Sequence, residues 1–215
     1  PRKWSIWHFP FQQSLNPELS LFFRFRYFAT ELVLPIICGS ITVYTKSMVL
    51  LPFFLLVGVS FIILFWTDIE NKILPNVITL PLIGIGILIN GLQNKLPHSL
   101  YGILFIAALY ICTTILTRLF SRRASIGGGD IKLGIAIGAI WGPKFALLAI
   151  YMSLLAGFFS TIILIILKKK KKNDEIAFGP FMIIGAIITL LWGPPLWTLL
   201  FKTNNFSTID PYIIF

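Results

Sequence analysis

Charge is what this sequence has least of. Of its 215 residues only 18 are Lys or Arg and 8 are Asp or Glu, so 12% carry charge, about half the share found in a soluble domain. Cysteine is almost absent: Cys38 and Cys112 stand alone, each inside an apolar run, which excludes a disulfide scaffold. Histidine is equally scarce, with His8 and His98 expected on opposite sides of a membrane, so no shared metal site is expected. What fills the space is apolar. Hydrophobic residues make up 57%, 20 residues are Phe, and the mean hydropathy is +0.88. A soluble monomer cannot conceal that much apolar surface, and a disordered chain would be poor in aromatic and β-branched residues. The chain belongs in a bilayer.

The few charges mark out the spans. The stretches between Lys46 and Asp68, Lys72 and Lys95, Lys95 and Arg118, Lys144 and Lys168, and Glu175 and Lys202 are all uncharged. Each supplies the roughly 20 residues that a helix needs to cross about 30 Å of hydrocarbon. Tyr27 to Thr45, interrupted only by Glu31 near its start, reads as another. No ten-residue alternation of a membrane β-barrel is present, and backbone hydrogen bonding in lipid then demands helices. The exception is Ile131 to Gly142, bounded by Lys132 and Lys144. Twelve helical residues rise only about 18 Å, so this segment either re-enters or crosses with help from the irregular stretch before it.

The distribution of cations chooses between these, because cytoplasmic loops carry the excess of Lys and Arg. If 131–142 crosses, one side holds Arg2, Lys3, Arg24, Arg26, Lys72, Arg118, Arg122, Arg123, Lys132 and the run Lys168 to Lys172; the other holds only Lys46, Lys95, Lys144 and Lys202. If it re-enters, the bias collapses and the lysine run lands on the wrong side. Crossing is therefore expected. The fold class is all-α, a polytopic membrane protein of about seven helices with a short fifth helix after a glycine-rich break. Three regions follow: an interfacial N-terminal segment 1–26, a membrane domain 27–202 and an extracytoplasmic tail 203–215. The N-terminus is inside, the C-terminus outside, and loops 68–75, 118–130 and 168–177 are cytoplasmic. The net charge of +10 then reads as orientation and anionic-lipid contact, with the Lys168–Lys172 run as anchor, and not as a nucleic-acid surface. The chain opens on Pro1, so an upstream segment is compatible with the sequence.

Two of the eight acids fall at membrane boundaries on the same predicted side. Asp68 closes the second span, and Asp130 opens the short fifth one directly after Gly127, Gly128 and Gly129. An ionisable group beside hydrocarbon is costly and is a functional candidate by default. Two carboxyl groups within about 3 Å share one proton, as in aspartic proteases, where the ionised partner deprotonates water and the protonated one polarises the scissile carbonyl. Glycines without Cβ atoms let a substrate backbone approach and permit positive φ. Taken alone, Asp130 also reads as a helix N-terminal charge favoured by the dipole, and Asp68 with Lys72 as a solvated loop charge. The pair, the glycine run and the undersized helix together favour chemistry.

At these residues the sequence resembles the type IV prepilin peptidases, bacterial inner-membrane aspartic proteases of the GxGD type. Asp68 with Pro75-Asn76 and Val77-Ile78-Thr79-Leu80-Pro81-Leu82 is similar to that family's first catalytic segment. Gly127-Gly128-Gly129-Asp130-Ile131-Lys132-Leu133, with Gly138 and Trp141-Gly142, is similar to its second. Ala177-Phe178-Gly179-Pro180-Phe181, leading to Gly185 and Trp192-Gly193, resembles its C-terminal segment, and Arg26-Tyr27 with Glu31 resembles the entry to an early helix. The resemblance implies that Asp68 and Asp130 are the catalytic pair, with Gly127 to Gly129 and Lys132 in the active-site loop. It also implies cleavage of a short basic leader from prepilins or pseudopilins at the cytoplasmic face, after a glycine that precedes an apolar stalk. Glu70 is the local rival to Asp68.

Two departures shape the cofactor expectation. Many members carry paired cysteines near the N-terminus that hold zinc; residues 1–30 have none, so no zinc site is expected in this chain. Many also methylate the new N-terminus with S-adenosylmethionine, but the region linked to that activity is short and altered here. The peptidase itself needs no cofactor. Glu31 is expected to pair with Lys132 or Arg26, and Glu70, Asp174 and Glu175 to receive the basic groups of the leader. The alternatives are a catalytically inactive assembly protein of a pilus or secretion system, which intact aspartates disfavour, and a proton-coupled transporter, which would need acids nearer the midplane.

Overall fold

The computed structural model describes residues 30–42, 47–120, 127–166 and 178–201. The expected segments 1–26 and 203–215, the Lys168–Lys172 run, Asp174 and Glu175 lie outside the described residues. Among the described residues the chain is helical, with no strand: α1 (Thr30–Thr42), α2 (Leu51–Asn71), α3 (Asn76–Leu92), α4 (Leu96–Phe120), α5 (Gly128–Ile166) and α6 (Gly179–Phe201). Four of these contain stretches long and apolar enough to cross a membrane, namely α2, α4, α5 and α6, while α1 and α3 are shorter apolar helices. Large apolar side chains such as Ile63, Leu104, Phe158 and Leu199 point outward and are exposed. Such a surface is stable only in a non-aqueous solvent. The molecule is an all-α polytopic membrane protein.

Proline and local caps set the helix boundaries that matter for the site. α2 starts with Pro52 in its first turn, where the missing N–H has no intrahelical partner to lose. It ends when Lys72 turns left-handed (φ 53°) and returns its N–H to Asp68 O at 2.9 Å, a cap of the αL type. Only Ile73, Leu74 and Pro75 then separate α2 from α3, and Pro75 is extended. Asp68 thus sits in the last turn of a helix rather than in the loop after it.

The undersized segment and its successor are two helices that follow one another without a loop, separated by a break at a single residue. Gly142 has φ 69° and ψ −179° and is followed by Pro143. Side-chain contacts give the direction of each arm, here α5a (128–141) and α5b (143–166). α5a runs parallel to α3, since Lys132 meets Asn76 and Ala139–Ile140 meet Asn90. It runs antiparallel to α4, since Gly134 packs on Tyr110 and Gly138 on Gly102. α6 starts beside Leu74, which also packs on Gly129, and Tyr110 donates to Met182 Sδ at 3.5 Å, so α6 follows α5a. α5b opposes α6, with Phe145 at Gly193, Ser153 at Gly185 and Phe181 at Gly157. The two arms therefore run in opposite senses, and the chain folds back at Gly142 without an intervening loop.

The core lies around α5, which packs against α3, α4 and α6. Phe61 of α2 stacks on Trp141 with ring centroids 5.7 Å apart and planes 13° apart. Leu133, Ile137, Leu148, Met182 and Ile183 are fully buried. Close approach of backbones does much of the rest: a Cβ on Gly138 would lie 2.6 Å from Gly102 O. Small residues at such contacts are how helices associate when lipid is already as apolar as leucine.

Candidate active site

Three chain segments converge at one end of α5a. The last turn of α2 carries Asp68, the first turn of α5 carries Asp130, and the first residue of α6 is Gly179. Asp68 is 5% exposed. Its carboxyl is approached by the backbone N–H of Gly179, yet its Oδ2 is buried without a hydrogen-bond partner. Burying a carboxyl group without full satisfaction costs several kcal/mol, so Asp68 is held at that cost by the fold around it. A side chain on Gly179 would collide with Asp68 Oδ2, which is why the chain can bring an amide so near only at a glycine. Asp130 is half-buried and senses the charge of Asp68. The two carboxyl groups are electrostatic neighbours.

Leu74 joins the segments. It is buried, although Lys72 and Ile73 just before it are exposed. A Cβ on Gly129 would stand 3.0 Å from Leu74 Cβ, and one on Gly179 would stand 3.3 Å from Leu74 Cδ1. One leucine from the α2–α3 connection is thus wedged against the starts of both α5 and α6. Beside it, the Lys132 ammonium donates to Asn76 Oδ1 at 2.7 Å, tying the first turn of α3 to α5a.

The expected site residues separate into those brought together and those not. Asp68, Asp130, Gly129 and Lys132 fall in this cluster, and Gly127 lies against Asp130 Oδ2, with its Cβ position 3.1 Å away. Gly128 has open space where a Cβ would stand. The glycine run is not an irregular loop: the helix begins at Gly128, and the one described glycine with positive φ is Gly142. Glu70 is exposed, two residues from buried Asp68 and hence on the opposite face of α2. Glu31 is exposed on α1, and Lys132 is engaged with Asn76; Arg26 lies outside the described residues. No group of three His, Cys, Asp or Glu side chains that could hold a metal occurs among the described residues.

Residues the sequence reading did not single out hold the other end of α5a. A helix end leaves carbonyls unpaired, and Pro143 has no N–H to offer them. Asn90, 2% exposed, donates from Nδ2 to Gly86 O, Ala139 O and Ile140 O at 3.0, 3.0 and 3.2 Å. His98 Nε2 meets Trp141 O at 3.2 Å, an arrangement in which that nitrogen carries the proton. A lone amide inside an apolar run was the available signal for Asn90. Nothing in the local sequence marks Leu74.

Comparison with known proteins gives a family match over the stretch of chain that holds this cluster's α2 and α5 segments. The family described as the type IV leader peptidase family matches residues 54–167, a stretch that contains both Asp68 and Asp130. A prepilin leader peptidase/N-methyltransferase of Pseudomonas aeruginosa is 31% identical over 128 residues, which are 59% of this chain and 44% of that protein. Its counterpart in Aeromonas hydrophila is 33% identical over 150 residues, 67% of this chain and 49% of that protein. The Legionella pneumophila protein of that name is 27% identical over 189 residues, 86% and 59% of the two chains. The matched stretches are thus about half the length of these relatives. No solved structure matches the chain. With a family match spanning α2 to α5 and enclosing both aspartates, the chain belongs to the type IV leader peptidase family.

Proposed function

We propose that this protein is a membrane aspartic endopeptidase that removes the short basic leader of type IV prepilins or pseudopilins, cutting after a glycine at the cytoplasmic face of the bacterial inner membrane. The observation that carries the reading is the pairing of Asp68, buried with an unpartnered oxygen, with Asp130 at the junction of α2, α5 and α6. In this reading one carboxylate takes a proton from water as the other, protonated, donates to the scissile carbonyl. The hydroxide adds to the carbonyl carbon, and the tetrahedral intermediate collapses as the leaving amine takes a proton from the dyad. No metal is needed for these steps. S-adenosylmethionine is required only where N-methylation, part of the relatives' names, accompanies cleavage.

Two further features support a substrate with an apolar helix and a basic leader. A groove of about 540 Å³, lined by Tyr151, Leu154, Phe158, Phe178 and Phe181 among others, opens beside Phe178, the residue before Gly179. Glu70 is exposed on the face of α2 opposite Asp68, and with Asp174 and Glu175 it is assigned to the leader's Lys and Arg side chains, away from the carboxyl pair. The test is direct. Purified protein in detergent is incubated with a prepilin, beside Asp68→Asn and Asp130→Asn variants. Cleavage by the wild type that either substitution abolishes is expected; a cut that persists in both variants would refute the dyad. Charge reversal of Glu70, Asp174 and Glu175 to Lys should weaken cleavage of a basic leader, and unchanged cleavage would remove them from the assignment.

A further inference from the structure

We infer that Tyr110 is a positioning residue for the carboxyl pair: its buried phenol O–H donates to the Asp130 carboxylate during the reaction, directly or through one water, and so favours the ionised form of that group. The inference rests on the peptidase reading above and adds to it a residue of α4. Tyr110 is 6% exposed. Its ring occupies the place where a side chain on Gly134 would stand, and the phenol oxygen is 3.1 Å from that Cβ position. Gly134 follows Asp130 by four residues, so both lie on the face of α5a that meets α4. Residues so spaced have Cβ atoms about 5 to 6 Å apart. The phenol thus stands about one turn from the Asp130 side chain, and the two groups interact electrostatically. On its other side the phenol donates to Met182 Sδ at 3.5 Å. Met182 lies three residues after Gly179, whose amide approaches Asp68. One hydroxyl therefore sits a turn away from the cluster on both α5 and α6.

The partner that the phenol has in this structure is a poor one. A buried tyrosine hydroxyl ordinarily finds a full-strength acceptor, whereas a thioether sulfur is a weak one. An ionised carboxylate accepts far more strongly, so the O–H gains by turning from Met182 to Asp130 once that group is charged. A swing of the Asp130 carboxyl away from Gly127, against which it now lies, or one bridging water closes the remaining gap. A hydrogen bond to the charged form of an acid lowers the pH at which it ionises. Among the described residues, the titratable groups that face Asp130 are Asp68 from α2 and Tyr110 from α4. The helices α3 and α6 hold no residue of titratable type, and Lys132, two positions along α5, is engaged by Asn76. Asp68 opposes a charge on Asp130, and Tyr110 favours it.

The experiment uses the full chain in detergent and one prepilin. The pH profile of kcat/KM is measured in the wild type, in Tyr110→Phe, which removes only the hydroxyl oxygen, and in Met182→Leu, which removes the sulfur and keeps the volume. Tyr110→Phe should move the acid limb to higher pH by about half a unit or more and lower kcat several-fold. Met182→Leu should not raise the limb, because the phenol and Asp130 are both intact. Infrared titration of the carboxyl band that disappears in Asp130→Asn reads the same shift without substrate. A phenol that served only to pack α4 would change the thermal midpoint and leave both pH readings in place. Helicity and elution volume identify a variant that fails to fold, and Tyr110→Leu, which also lacks the hydroxyl, supplies the reading if Tyr110→Phe does so. An acid limb and an infrared midpoint unmoved in a folded variant without the hydroxyl overturn the inference and leave the peptidase reading intact. A wild-type protein that cuts no prepilin overturns that reading and, with it, this role for Tyr110.

Discussion

The two ends of α5a pose the same physical problem and solve it in opposite ways. At the Gly142 end, the break leaves the carbonyls of Ala139, Ile140 and Trp141 in an apolar interior, and Asn90 and His98 meet them with hydrogen bonds of 3.0 to 3.2 Å. At the Asp130 end, a buried carboxylate oxygen of Asp68 is left without a partner. Unpaired polar groups in a low-dielectric interior are expensive, so the contrast is informative. At the first end side chains pair the backbone carbonyls, although the buried Trp141 Nε1 there has no partner of its own. The other end keeps an acceptor unpaired beside a second carboxyl group, and its walls are glycine and one leucine. The first end pairs its backbone, and the second keeps a carboxyl oxygen without a partner, which is the group the proposed chemistry would draw on.

Substitutions at the two ends should therefore separate activity from stability. The largest effect is expected at the carboxylates: Asp68→Asn and Asp130→Asn should each lower kcat by at least about 10³-fold, roughly 4 kcal/mol of transition-state stabilisation. The double variant should be no worse than the worse single one, as for residues acting as a unit. Additive losses measured in a cleavage assay would show two independent roles. Next comes Gly142→Ala, which forces an L-residue to φ 69° and drives a methyl into the His98 ring. It should destabilise the protein by about 3 kcal/mol, read as a lower thermal midpoint in detergent. A midpoint unchanged from wild type would show that the break is not rigid.

Asn90→Leu removes the donor shared by three carbonyls and should cost about 2 kcal/mol, with activity per folded molecule retained. If cleavage by the folded variant collapsed instead, the two ends would be coupled and the separation would fail. Lys132→Met breaks the exposed bond to Asn76, worth about 1 kcal/mol, and should lower kcat/KM several-fold while moving the thermal midpoint little. The smallest effect is expected at Gly84→Ala on α3, where nothing lies within 4 Å of the added methyl. Its midpoint should change by no more than the equivalent of about 0.5 kcal/mol.

Much of this was legible in the chain itself. Scarcity of charge located the apolar helices, because each Lys, Arg, Asp or Glu avoids hydrocarbon and so marks where a span ends. The short segment ending at Gly142 was expected from the charges that bound it, Lys132 and Lys144. The aspartates were legible for the converse reason, as acids where an acid is costly. The glycines before Asp130 were expected to be an irregular loop with positive φ. They instead begin a helix, and the strained conformation sits 13 residues beyond Gly129, at Gly142. Absence of a side chain permits both close approach and positive φ, and sequence does not distinguish which of them a glycine provides.

Composition and spacing by themselves determined the non-aqueous solvent and the helical class and singled out two acids as candidates, since these follow from transfer free energies acting on one residue at a time. Which residues meet was decided only by the tertiary structure. That Leu74 wedges between Gly129 and Gly179, that Asn90 serves carbonyls some 50 positions away, and that Gly179 must be bare because Asp68 lies against it are all pair properties. They depend on how α2, α3, α5 and α6 are brought alongside one another, and a packing contact between distant segments leaves no periodicity in either of them.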